Sequence, residues 1–201
     1  MEVKKRQNSL RIAQKKPLNN IFNLSQFSPQ VRQLINWTVT AGSVLVCVMA
    51  LPTRLPGMEL LGIAPNWLLI WVVAWSIKRT AFQGAMAGLT LGLIQDGITA
   101  PEPTHVLSLV LVGILTARMQ KQRYIQEDFI SVALIVFGMA VVAETVTAIQ
   151  YSFLGDRTLA EIWTDHQRIA LSSAILSSLW APVVYYPLSR WWEQMHLLEQ
   201  S

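Results

Sequence analysis

The sequence predicts an all-α integral membrane protein, a six-transmembrane-helix bundle with both termini in the cytoplasm. Three observations lead there. Hydrophobic residues make up 52% of the chain and charged residues only 14%, against about 25% charged in soluble domains, and the mean hydropathy is +0.37. The charges are gathered between six apolar runs rather than spread along them. The basic residues then alternate from side to side across those runs, as Lys and Arg do in the short loops of membrane proteins.

Residues 1–32 read as a basic cytoplasmic tail. They lack the apolar core and small-residue cleavage site of a signal peptide, so the first apolar run is expected to stay as an anchor. Within the tail, Leu18, Ile21, Phe22 and Phe27 suit a short helix on the inner membrane surface. Residues 33–53 and 60–77 carry no charge, and about 20 helical residues cross a hydrocarbon core of ~30 Å, so each is expected to span. Pro65 fits the first turn of the second helix, where its missing N–H is no loss. Residues 80–98 form a glycine-rich third helix and 103–117 a short fourth, with a re-entrant hairpin as the alternative for this pair. Residues 129–154 are apolar except for Glu144. Residues 169–189 are charge-free, with Pro182 and Pro187 near their end. Residues 191–201 are a short cytoplasmic tail, and 155–168 is the longest outer loop.

Charge tests the count. With the N-terminus inside, the inner segments hold Lys4, Lys5, Arg6, Arg11, Lys15, Lys16, Arg32, Lys78, Arg79, Arg118, Lys121, Arg123 and Arg190. The outer ones hold only Arg54, Arg157 and Arg168. A wrong number of spans would scramble this order. The net charge of +4 is therefore a topology signal, able also to attract anionic lipid, and not a nucleic-acid footprint.

Catalytic signatures are missing: there is no HExxH, GxSxG, Walker loop or GxGxxG. The single cysteine, Cys47, excludes an internal disulfide. His105, His166 and Asp165 have no metal-ligand spacing, and no cofactor is expected. Asp96 and Glu144 are the only carboxylates at or within a run, and nothing in their spacing makes them an acid pair.

The sequence speaks instead about packing. Gly84, Gly88, Gly92 and Asp96 recur at i, i+4, one ridge of a helix, with Gln95 beside the carboxylate. Lipid supplies no hydrophobic force between helices, so close approach at small residues does the work. The ridge is expected to pack within the bundle, and Ser173, Ser177 and Ala181 on the sixth helix offer a matching small face. Glu144 should face inward and be hydrogen-bonded or protonated, since a charge in hydrocarbon costs several kcal/mol. Trp67, Trp71 and Trp75 line one face of the second helix, turned either to lipid or to a partner membrane protein as an anchor.

Three stretches, "PNWLLIWVVAWSIKR" (65–79), "GAMAGLTLGLIQDGI" (84–98) and "VLSLVLVGILTARMQKQ" (106–122), resemble the MreD family of rod shape-determining membrane proteins. A Pro-led second helix, a glycine-rich third helix ending in a G-L-x-x-D type motif and a fourth ending in basic residues carry the likeness. The motif carboxylate falls on Asp96 and its glycines on Gly88 and Gly92. The turn "TAPEPTH" (99–105) is stiffer and more acidic than the family's usual Gly- or Ser-containing turn. The resemblance implies a fold like that of the substrate-binding subunits of energy-coupling-factor transporters. It implies a non-enzymatic scaffold in the plasma (inner) membrane that helps maintain rod shape by organising lateral peptidoglycan synthesis. Its partners would be the bitopic MreC, MreB, RodA and a class B penicillin-binding protein. The alternative is a substrate-binding subunit of a vitamin or ion transporter, which should show a polar outer pocket; short outer connections argue for few such pockets.

Overall fold

The computed structural model describes residues 28–53, 59–99, 103–120, 129–154 and 159–199. Within them lie six helices: α1 (Pro29–Ala50), α2 (Trp67–Ser76), α3 (Ala81–Ile98), α4 (His105–Gln120), α5 (Phe129–Leu154) and α6 (Leu159–Glu199). The tail segment 18–27, expected as an interfacial helix, lies outside the described residues. α1, α5 and the stretch Ile162–Leu198 of α6 are long and apolar enough to cross a membrane, and α2 and most of α4 are apolar but shorter.

α2 is the centre of the molecule. It touches all five other helices, and Leu68, Leu69, Val72, Val73 and Ser76 have no exposed surface at all. A helix apolar all round is a buried helix, and this one is wrapped by its neighbours rather than set against lipid. It is also shorter than its apolar run. The reading of 60–77 as one helix is corrected: α2 has 10 residues, about 15 Å at ~1.5 Å per residue, or half a bilayer core.

The cause is turn chemistry upstream. Leu60 and Ile63 exchange backbone hydrogen bonds, each 3.0 Å, around Leu61 and Gly62, whose φ values are +55° and +78°. Two successive positive φ angles are those of a primed turn, which no helix tolerates. Pro65 follows and stands outside the helix, not in its first turn. Asn66 is the N-cap, its side chain accepting from the Leu69 N–H at 3.0 Å.

α3 opens on a capping box, Thr80 accepting from the Gln83 N–H while the Gln83 side chain accepts from the Thr80 N–H. α3 and α4 form the most extensive helix pair, followed by α5 and α6. α6 runs for 41 residues with Pro182 and Pro187 inside it, about 60 Å. The expected outer loop 155–168 is thus helical from Leu159, and the expected C-terminal tail is helical to Glu199. That last stretch is docked on α1: Arg32 donates to the Leu198 carbonyl at 3.0 Å, and Trp191 Nε1 to Asn36 Oδ1 at 3.3 Å. Elsewhere α1 is loosely held, with only Thr40 and Cys47 buried.

Candidate functional site

The glycine ridge meets α4. A Cβ on Gly84 would collide with the Gly113 carbonyl, one on Gly88 with the Leu109 carbonyl, and one on Gly92 with the Val106 Cα at 2.5 Å. Gly113 meets Gly84 in the same way from the other side. Four-residue steps up α3 match three- and four-residue steps down α4, so the two backbones run together as an antiparallel seam. The neighbour of the ridge is therefore α4 and not α6, whose small face turns elsewhere. The reason is connectivity: six residues separate the two helices, and both contribute glycine where they touch.

Asp96 closes this hairpin. Its Oδ2 accepts from Thr104 Oγ1 at 2.6 Å. Its Oδ1 accepts from the His105 main-chain N–H at 2.8 Å and from the ring Nδ1–H at 2.8 Å. A carboxylate is thereby fixed at the N-terminus of α4, where the helix dipole favours negative charge. The carboxylate that ends the glycine run is the clasp of the next helix.

The small face of α6 meets α2 and α5. Ser177 Oγ accepts from the Asn66 N–H at 3.0 Å, satisfying the cap of the central helix. Ser173 and Glu144 line one cleft, and Ala181 is fully buried. Ser178, below Pro182, donates to the Ile175 carbonyl at 2.8 Å.

These elements converge on a cleft. The end of α1, the start of α2, the end of α3 and the start of α4 surround it, with the middles of α5 and α6 behind. It has a volume of about 230 Å³ and is lined by Asn66, Gln95, His105, Ser108, Glu144 and Ser173, among others. Gln95 is 7% exposed, and its side-chain oxygen has no hydrogen-bond partner. A second cleft, between α5 and α6, shares Glu144 and Thr147 with the first. The expectation of few polar pockets thus meets a polar one, assembled from helix ends rather than from loops, which is why loop length gave no sign of it. Asp96 is adjacent but engaged in its clasp.

The tryptophan stripe makes contacts within the molecule. Trp71 is 4% exposed and stacks on Trp75, with centroids 5.3 Å apart. Both meet Trp192 of α6 edge-on, at 6.4 and 5.1 Å, and Trp67 packs on Trp180 at 5.6 Å. Trp71 Nε1 donates to Ser43 Oγ on α1 at 2.9 Å. The Arg79 guanidinium lies over the Trp75 ring at 3.6 Å, a cation–π contact. The stripe therefore packs α2 against α1 and α6, with Trp67 and Trp75 only partly buried. Its periodicity was visible in the sequence, but α2 has no polar face to show which side points in.

The site combines helix packing, a polar cleft and an aromatic cluster. No curated protein and no solved structure matches the chain. Residues 30–188, from the first turn of α1 to the proline-bearing part of α6, match a family described as "rod shape-determining protein MreD". With most of its length matched in this way, the chain belongs to the MreD family.

Proposed function

We propose that the protein is a non-enzymatic membrane scaffold of the cell-elongation machinery, working by contact to organise lateral peptidoglycan synthesis in a rod-shaped cell. The observation that carries this reading is the family match over residues 30–188. In this reading the chain is a multi-pass protein of the plasma membrane, crossing it six times with both termini cytoplasmic. Its partners are an MreC-like bitopic protein and, through it, MreB, RodA and a class B penicillin-binding protein. The Gly84–Gly88–Gly92 seam and the Asp96 clasp support the proposal by making α3 and α4 a rigid unit on which partners can be held in register. Ser173, Ser177 and Ala181 hold α6 against the core.

A second reading, a substrate-binding subunit of a vitamin or ion transporter, is favoured by the polar cleft that Glu144 and Gln95 line. Depletion from a rod-shaped host separates the two. The scaffold reading expects rounding of cells whose nutrient uptake is normal. Retained rod shape, with growth restored by one added vitamin or ion, would replace it with the transport reading.

A further inference from the structure

Several hydrogen-bond acceptors in the cleft are left open. Gln95 Oε1 is buried with no partner. Ser108 has committed its proton to the His105 carbonyl at 2.9 Å, and Thr147 has committed its own to the Ala143 carbonyl at 3.1 Å. Both hydroxyls are left as acceptors. Glu144 lines the same cleft beside Ser173, and when ionised it adds a carboxylate acceptor. No Lys or Arg lines the cleft, and His105 is turned to Asp96. A buried acceptor left unmade is costly, and a carboxylate-bearing pocket lined by no Lys or Arg is complementary to a donor-rich cation.

We propose that this cleft binds a small organic cation, a primary ammonium or guanidinium group, seated between Glu144 and Gln95. The volume of about 230 Å³ has room for such a head group with an alkyl stem. The apolar part of the lining, including Ile63, Pro65 and Ala143, is available to the stem. The second cleft, which shares Glu144 and Thr147, gives that carboxylate an opening between α5 and α6. The site is independent of the scaffold reading, since it follows from the lining groups whatever the protein organises.

The test is a thermal titration of the full chain in detergent with agmatine and with n-butylammonium. n-Butanol serves as the uncharged control and potassium chloride as the ionic-strength control. At ten times the half-saturating concentration the expected rise in Tm is roughly 3–6 °C. It is saturable, absent with both controls, and abolished by Glu144→Gln, which keeps the size and shape of the side chain, and by Gln95→Met. No rise, a rise matched by potassium chloride, or one unchanged in both variants overturns the proposal; a cleft holding only water gives the first of these. The same head group is carried by free amines and by Lys or Arg side chains. Native mass spectrometry of the protein from membranes identifies a free amine as an adduct lost in Glu144→Gln. A carbodiimide cross-link from Glu144 to a lysine of another protein identifies a side chain. Either product supports the proposal and names its source.

Discussion

At Gly88 one methyl group is enough to test the seam. A Cβ there falls on the Leu109 carbonyl and within 2.7 Å of the Val110 Cα, backbone atoms that cannot rotate away. Gly88→Ala should lower stability by about 1–3 kcal/mol, the usual cost of overpacking, and lower Tm in detergent by several degrees. Gly138 is the control: a Cβ there meets nothing within 4 Å, so Gly138→Ala should be neutral or slightly stabilising through helix propensity. Equal behaviour of the two variants would show that α3 and α4 do not approach so closely. The ridge itself was legible, because four-residue spacing on a helix admits one geometry. Its neighbour was not, because spacing says which residues share a face and nothing of what lies opposite. The same limit hid the cleft. Asp96 and Gln95 are consecutive and were singled out together, yet the first is satisfied three times by Thr104 and His105 while the second keeps an orphaned oxygen.

At the scale of elements the sequence was clearest where hydropathy alone decides. α5 spans Phe129–Leu154, as its apolar run does. It was least clear at α2, where hydropathy continues unbroken through Leu60–Ile63 but the backbone does not. Gly62 and Pro65 were the available signals, and the "TAFQ" capping box at 80–83 was another for the start of α3. Helix faces were harder still. The rings of α2 looked outward by default, and the structure places them against α1 and α6. This has a consequence for stability. Trp71→Leu would open the stack with Trp75 and Trp192 and leave Ser43 without its indole donor. Leu refills part of the space, so the expected loss is about 2–3 kcal/mol, below the ~3–5 kcal/mol of a buried Trp→Ala change. The measurement is thermal unfolding in detergent, followed by intrinsic fluorescence. A stripe facing lipid or an absent partner would give a purified variant as stable as the parent.

For the whole molecule, the orientation rests on charge, and charge can be challenged directly. The reading with both termini cytoplasmic puts Lys78, Arg79 and Arg118 on one side, and it assigns the connection after α5 to the other. The structure adds a physical link between the two ends of the chain. Arg32 at the start of α1 donates to the Leu198 carbonyl near the end of α6, so whichever face of the membrane holds one holds the other. A single labelling experiment therefore bears on both termini. Native Cys47 is 4% exposed and should not react with an impermeant maleimide, which lets new cysteines report alone. Cysteine substituted for Gly155, after α5, should be labelled from outside intact cells. Cysteine substituted for Gln122, after α4, should be labelled only once the cells are opened. The two sites flank α5, so they must lie on opposite sides if its 26 residues cross the bilayer. Labelling of both from outside would mean that α5 does not cross. Labelling of Gln122→Cys alone would invert the molecule, carrying the polar cleft to the cytoplasmic side and placing Arg79, with its tryptophan cluster, on the outside.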